Sequence, residues 1–325
     1  MSRFFSAPRT FFAIPAAFFF WKRVKDKCCK MIGHLEQYGT SATGVALRWT
    51  AYVPSGGGQH PAVLVLHPGG FKTGAAGPQY VAQDLARAGF FALATEYRLA
   101  PPHTYMNTPA HPAPSQNTVG AADDGHYPAQ TTDVQMAIRA ARKDPRCDGR
   151  VYGVGGSAGA SHVAYMMATG TPKDDQFDLG VCCSGVYKLN DQAHLAVNYP
   201  PGETNFHDAC MNYIGRPDTY PIYSKPDLNA LWTASPATYV HAGMPPIFFM
   251  VSSDDAGGVD TFQYDDLKTE LNAVGIPESF SATPQAGTYK RMIVPVTAQT
   301  HAFQYWNTSP NVPLGSKAAI ITWLT

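Results

Sequence analysis

The sequence is poor in charge and has no surplus of either sign. Charged residues make up 15% of its 325 positions, and 24 Lys and Arg balance 24 Asp and Glu. A neutral chain with no basic stripe has no electrostatic means of gripping a phosphate backbone, so nucleic acid is not an expected partner. Cysteine is scarce as well. Cys28, Cys29, Cys147, Cys182, Cys183 and Cys210 include no C-x-x-C pair and do not make a small disulfide scaffold. Cys182 and Cys183 fall in an apolar run, which favours buried, reduced thiols. No internal repeat runs along the chain, so a solenoid or propeller is excluded. The apolar stretch at residues 11–21, FFAIPAAFFFW, is too short to span a bilayer comfortably. It follows Arg3 and Arg9 in the manner of a signal peptide, yet no small-residue cleavage site comes after it. Lys22, Arg23, Lys25, Lys27 and Lys30 follow instead and oppose translocation. We expect a cap packed on the domain, with a membrane-surface anchor as the alternative. The expected compartment is cytoplasmic, with secretion or membrane association as the alternatives.

Apolar residues are plentiful at 45%, and 29 Gly and 27 Pro suit a fold with many tight turns. The patterning predicts strands at 62–66, 90–97, 150–155, 179–184, 247–252 and 291–296. Helices are predicted at 79–88, 128–143, 158–168, 261–274 and 317–324. Strands that alternate with helices give an α/β fold with a mostly parallel central sheet and helices on both faces. Residues 101–126 lack periodicity and are rich in Pro, Asn, Thr and His, so they read as a surface insertion. Residues 190–233 read as irregular and cap-like.

The most informative stretch is Gly155-Gly156-Ser157-Ala158-Gly159, a G-x-S-x-G between a predicted strand and a predicted helix. On such a turn the serine oxygen is lifted above the sheet edge, and side chains at the flanking positions would clash. A serine hydroxyl is a weak nucleophile and needs a base that is itself oriented by an acid. After the strand at 247–252 stand two candidate acids, Asp254 and Asp255. After the last predicted strand stands a single histidine, His301. Gly69 and Gly70, in the loop after the strand at 62–66, can offer backbone N–H groups to an oxyanion, as can Ala158; Pro68 has no N–H to offer.

These pieces resemble the hormone-sensitive-lipase-like branch of the α/β-hydrolase esterases. His67-Pro68-Gly69-Gly70-Phe71 is similar to the family's H-G-G-G loop. Glu96-Tyr97-Arg98-Leu99-Ala100-Pro101 is similar to its D-Y-R-L-A-P strand end, and Gly155 to Gly159 to its nucleophile turn. Pro245-Pro246 and the late His301 also fit. The similarity spans residues 45–325 and implies a hydrolase domain there, preceded by a cap or anchor segment at 1–44. It implies Ser157 as nucleophile, His301 as base, and an oxyanion hole from Gly69, Gly70 and Ala158. Family spacing from the Pro-Pro pair favours Asp255 over Asp254 as the acid. The implied activity is hydrolysis of short- to medium-chain acyl or aryl esters, with a small-molecule ester as partner and no cofactor or metal. Pro68 and Gly156 depart from the pattern, the first replacing a glycine and the second an acidic residue.

Two rival functions remain. One is an acetyl- or feruloyl-polysaccharide esterase or a peptidase-like hydrolase. The other is a non-catalytic ligand-binding protein on a hydrolase scaffold. Self-association is left open. His67 is expected to brace the oxyanion loop rather than act as a second base. Arg98 and Asp133 are expected to form a structural buried pair. Tyr213, Tyr220, Tyr223 and Trp232 are expected to be core.

Overall fold

The protein is described from a computed structural model, which covers residues 31–74, 78–101, 104–105, 125–191, 206–216, 225–253, 255, 259, 261–294, 300–306 and 316–325. Most of the 1–44 segment, most of the insertion at 101–126, Asp254, Tyr220 and Tyr223 lie outside the described residues. The elements run β1 (His34–Thr40), β2 (Ala46–Tyr52), β3 (His60–Leu66), β4 (Thr73–Gly74), α1 (Gln79–Arg87), β5 (Phe91–Thr95), β6 (Thr104–Tyr105), α2 (Ala129–Lys143), β7 (Cys147–Gly156), α3 (Ala158–Thr169), β8 (Leu179–Cys183), α4 (Phe206–Tyr213), α5 (Lys225–Ala234), β9 (Ile247–Ser252), α6 (Thr261–Ala273), β10 (Tyr289–Val294) and α7 (Ser316–Leu324).

Eight strands form one sheet in the order β1-β2-β5-β3-β7-β8-β9-β10. Strands β5, β3, β7, β8, β9 and β10 are mutually parallel, whereas β2 runs antiparallel to β5, and β1 to β2. The unbroken apolar runs of β3 and β5 are what a strand buried on both faces requires. Register shows the two faces. Leu66, Gly155, Cys182 and Phe249 lie in one row across the sheet, and the core on that side includes Val134, Val163 and Leu267 from α2, α3 and α6. The neighbouring row, Val65, Val154, Val181 and Phe248, points the other way. There Phe248 meets Trp323 of α7 at 5.6 Å between ring centroids.

Three features differ from the sequence expectation. Strands β1, β2, β4 and β6 were not anticipated; β1 precedes residue 45, and β6 lies within the expected insertion at 101–126. The HLEQYGT sequence of β1 has no apolar alternation because it is an edge strand that is largely solvated. Residues 190–233 are not wholly irregular but contain α4 and α5. The spacing 206, 209, 210 and 213 is helical, but it lasts only two turns between Pro- and Asn-rich segments. Finally, Tyr213 is buried as expected, whereas Trp232 is 53% exposed.

Arg98 and Asp133 form the expected buried pair. Arg98 Nε donates to Asp133 Oδ2 at 2.9 Å, Nη2 to Oδ1 at 2.8 Å, and the Arg98 backbone N–H to Oδ2 at 3.0 Å. This ties the chain beyond β5 to α2. Cys147, Cys182, Cys183 and Cys210 are buried. Among the described residues no helix is long and apolar enough to cross a membrane.

Candidate active site

After β3 the chain moves to β5 on one side, then returns to β7 on the other. Where strand order reverses in this way, the loops leaving the carboxyl ends of adjacent strands diverge and open a crevice. The loops that leave β3 and β7 carry Gly69-Gly70 and Ser157 respectively.

Ser157 is held at φ 52° and ψ −121°, a conformation that L-residues rarely adopt. Its backbone N–H donates to the Cys183 carbonyl at 2.8 Å. The crowding expected of the motif is present at both glycines. A Cβ on Gly155 would overlap the carbonyl of Gly159, and one on Gly159 would overlap the carbonyl of Leu66. In both cases the obstacle is backbone, which cannot swing aside. We expect Gly159→Ala to destabilise the protein by about 1–3 kcal/mol, as overpacking does, and to lower activity; urea unfolding measures the first.

The loop after β3 is fixed before any ligand arrives. Gly69 and Gly70 have φ 137° and 54°, both open to glycine. A side chain on Gly69 would also overlap the carbonyl of Thr73. Thr73 donates to the Gly69 carbonyl through both its N–H and its hydroxyl, each at 2.9 Å. His67 Nδ1 donates to the Pro68 carbonyl at 2.9 Å, and Tyr97 Oη to the His67 carbonyl at 2.7 Å. The Phe71 carbonyl accepts from Ala100 N–H at 2.9 Å and from Gln130 Nε2 at 2.7 Å. The N–H groups of Gly69 and Gly70 find no acceptor among the described residues.

Beyond the ends of β9 and β10 two further loops run side by side. The strands pair in parallel as far as Ser252 and Val294, and the pairing resumes as a bridge between Asp255 and Thr300. That register places His301 next to Asp255, and His301 Nδ1 lies 2.6 Å from Asp255 Oδ1. The Asp255 side chain is 1% exposed. The same loop packs on the Ser157 turn. A Cβ on Gly156 would lie 2.9 Å from the Phe303 ring and 3.0 Å from Ala302 Cβ. A side chain at 156 would therefore force Phe303 or Ala302 to shift, so glycine suits this position between the serine turn and the histidine loop.

The comparisons agree with this architecture. No protein-family model matches the chain, and no curated protein does. Solved structures do. The acetyl ester-xyloside bifunctional hydrolase of Caldicellulosiruptor lactoaceticus superposes with a TM-score of 0.59 at 18% identity, covering 88% of this chain and 93% of its own. A truncated carbohydrate esterase from gut microbiota gives 0.57 at 17% identity over 81% and 87% of the two chains. A thermophilic esterase from the planctomycete Thermogutta terrifontis gives 0.56 at 16% identity over 89% and 88%. The fold is that of the α/β-hydrolases. Identity this low carries the fold and nothing finer.

Within this fold several supporting residues carried little signal in the sequence. Gln304 Oε1 accepts the His301 N–H at 2.6 Å, and Tyr80 Oη donates to the Phe303 carbonyl at 2.9 Å. Trp306 Nε1 donates to Asp84 Oδ2 at 3.1 Å, so α1 grips the histidine loop at two points. Only Gln304 left a readable trace: a Gln three residues after the start of a helical turn is a capping-box pattern. Behind the glycine loop, His162 of α3 shares a hydrogen bond of 2.9 Å with Gln130 Oε1. His67 stacks on Tyr97 at 4.1 Å, and Phe71 stacks on Tyr213 at 4.1 Å. Burial pushes the His67 imidazole down to about 4, with its bond to Pro68 acting weakly the other way. Burial, together with the charge of His67, pushes His162 down to about 3. Both rings are therefore neutral at pH 7. They are braces, and neither is suited to carry a proton. Among the described residues no group of three or more His, Cys, Asp or Glu side chains is arranged to hold a metal ion.

Proposed function

We propose that this α/β-hydrolase is a serine esterase of the hormone-sensitive-lipase-like type, cleaving short- to medium-chain acyl or aryl esters. The observation that carries the reading is the His301–Asp255 hydrogen bond on a loop packed against the Ser157 turn. Ser157 Oγ attacks the ester carbonyl while His301 Nε2 takes its proton. Asp255 accepts from His301 Nδ1–H, which fixes the tautomer and stabilises the imidazolium that forms. The carbonyl oxygen becomes an oxyanion facing the N–H groups of Gly69, Gly70 and Ala158. The imidazolium returns its proton to the departing alkoxide, leaving an acyl-serine. Water, deprotonated by the same imidazole, then releases the acid and restores the serine. Esterase structures among the fold's neighbours support the reading, and those of the Thermogutta terrifontis enzyme include forms phosphorylated by paraoxon and phosphonylated by sarin.

Covalent labelling by a fluorophosphonate probe tests this proposal. We expect the native protein to be labelled at Ser157 and to hydrolyse an aryl acetate; failure to label would return the chain to the non-catalytic ligand-binding reading. Asp255→Asn should lower kcat by about 10⁴-fold while preserving the fold, because the amide favours the wrong imidazole tautomer. Asp254→Asn should leave turnover within a few-fold. The reverse ranking would move the acid to Asp254.

A second reading is favoured by two of the neighbours, one an acetyl ester-xyloside hydrolase and one a carbohydrate esterase. Under it the substrate is an acetylated or feruloylated sugar. A kcat/KM higher on acetylated xylose than on any simple aryl or alkyl ester would select it.

A further inference from the structure

Among the described residues five non-glycine positions have positive φ: Phe71, Ser157, Lys173, Ser184 and Ala302. Four of them surround the candidate site, and strained backbone of this kind persists only where its surroundings over-determine it. Phe71 and Ser157 belong to the oxyanion loop and the nucleophile turn. Ser184 and Ala302 are bonded to each other.

Ser184 follows β8 at φ 52° and is 1% exposed. Its backbone N–H donates to the Met250 carbonyl of β9 at 2.8 Å. Its hydroxyl accepts the N–H of Ala302, the residue after His301, at 3.1 Å. The residue before it, Cys183, accepts the N–H of Ser157 at 2.8 Å. The end of β8 therefore holds the nucleophile with one residue and the base with the next. Gln304 restrains the N–H of His301 from within the loop itself, and Thr300 Oγ1 holds the start of the loop to Ser252 Oγ of β9 at 3.1 Å, so Ser184 adds the tie from the residue after His301 to the end of β8.

We infer that Ser184 is a positioning residue that sets the distance between the Ser157 hydroxyl and the His301 imidazole. Resting on the esterase reading, it goes beyond it by adding a residue outside the expected relay. A shortened side chain at 184 frees the Ala302 N–H and lets the histidine loop rise from the serine turn, without touching the ester or the oxyanion donors. Displacement of a catalytic group by about 1 Å lowers turnover on the order of 10²-fold.

The experiment compares Ser184→Ala and Ser184→Gly with the native protein. Both remove the acceptor, but only glycine relaxes the backbone. We expect kcat on an aryl acetate to fall about 10–100-fold in both, KM to stay within two-fold, and fluorophosphonate labelling to slow by the same factor as kcat. Unchanged kcat, a loss confined to KM, or a loss in the alanine variant alone would overturn the role of the hydroxyl. The proton NMR signal of His301 Nδ1–H in its short bond to Asp255, identified by its absence in His301→Ala, gives a readout that needs no turnover. It should shift or broaden in both Ser184 variants. A signal identical to the native one would refute the positioning role even if the native protein proved inert toward esters, and inertness would count against the esterase reading alone.

Discussion

Ser157→Ala and Ser157→Gly should each lose on the order of 10⁶-fold in kcat, because without the nucleophile the remaining groups have nothing to activate. The two variants should nevertheless separate in stability. The position has φ 52° and ψ −121°, a conformation that costs a residue bearing a Cβ about 1–3 kcal/mol. Alanine keeps that strain and gives up only the hydroxyl. Glycine removes the strain, although its greater freedom in the unfolded chain takes back about 0.5–1 kcal/mol. The glycine variant should therefore be more stable than the alanine variant by about 1 kcal/mol, read as a higher urea midpoint at equal slope. Equal midpoints would mean that the turn is not strained as described. A turn that lowers stability yet lifts an alcohol above the sheet is what the proposed esterase mechanism requires, since a glycine would sit here without strain.

The β-α alternation, the parallel sheet and the elements β3, α1, β5, α2, β7 and α3 were legible because buried parallel strands leave unbroken apolar runs. The helices that follow show period 3.6 over nine residues or more. Edge strand β1 left no such trace, being largely solvated. Helices α4 and α5 were hidden by their shortness and by the proline- and asparagine-rich chain around them. Of the site, the serine turn could be read because two glycines are forced by backbone crowding. The pairing of His301 with Asp255 could be anticipated because each follows a strand late in the chain. What the sequence withheld was the scaffolding between them. A buried serine at the end of β8, a glutamine in α2 and a tyrosine in α1 carry no local pattern. Their partners lie 32 to 223 residues away, as with His162–Gln130 and Tyr80–Phe303. Gly156 is the instructive case. From sequence it was only a departure from the pattern of the family the chain resembles, whereas in the fold it faces Phe303 and Ala302 of the histidine loop closely enough that a side chain would push them away.

Acid should destabilise the protein well before its carboxylates titrate, and the cause lies in the two imidazoles beneath the glycine loop. His67 and His162 are held down at about 4 and about 3, against about 6.5 in an unfolded chain. Below pH 6.5 the unfolded state therefore binds two protons that the folded state refuses, so lowering the pH favours unfolding. The stabilisation is fully present above pH 6.5 and drains away until the folded imidazoles themselves protonate, near pH 4 for His67 and pH 3 for His162. At pH 5 the loss amounts to about 2 kcal/mol for each ring. The ion-paired carboxylates enter only below their ordinary range near pH 4. Arg146 lowers Glu36, while burial raises Asp144 and Asp178 but is outweighed by their Arg and Lys partners. Urea unfolding at pH 7.5 and pH 5 measures the difference directly. His162→Gln should remove about half of it, because an amide does not titrate, whatever it does to stability at pH 7.5. A pH dependence unaltered in that variant would mean that His162 takes up its proton in the folded state. In the folded protein His67 takes up its proton before His162, against Tyr97 and the Pro68 carbonyl, so the glycine loop is where acid should first loosen the fold.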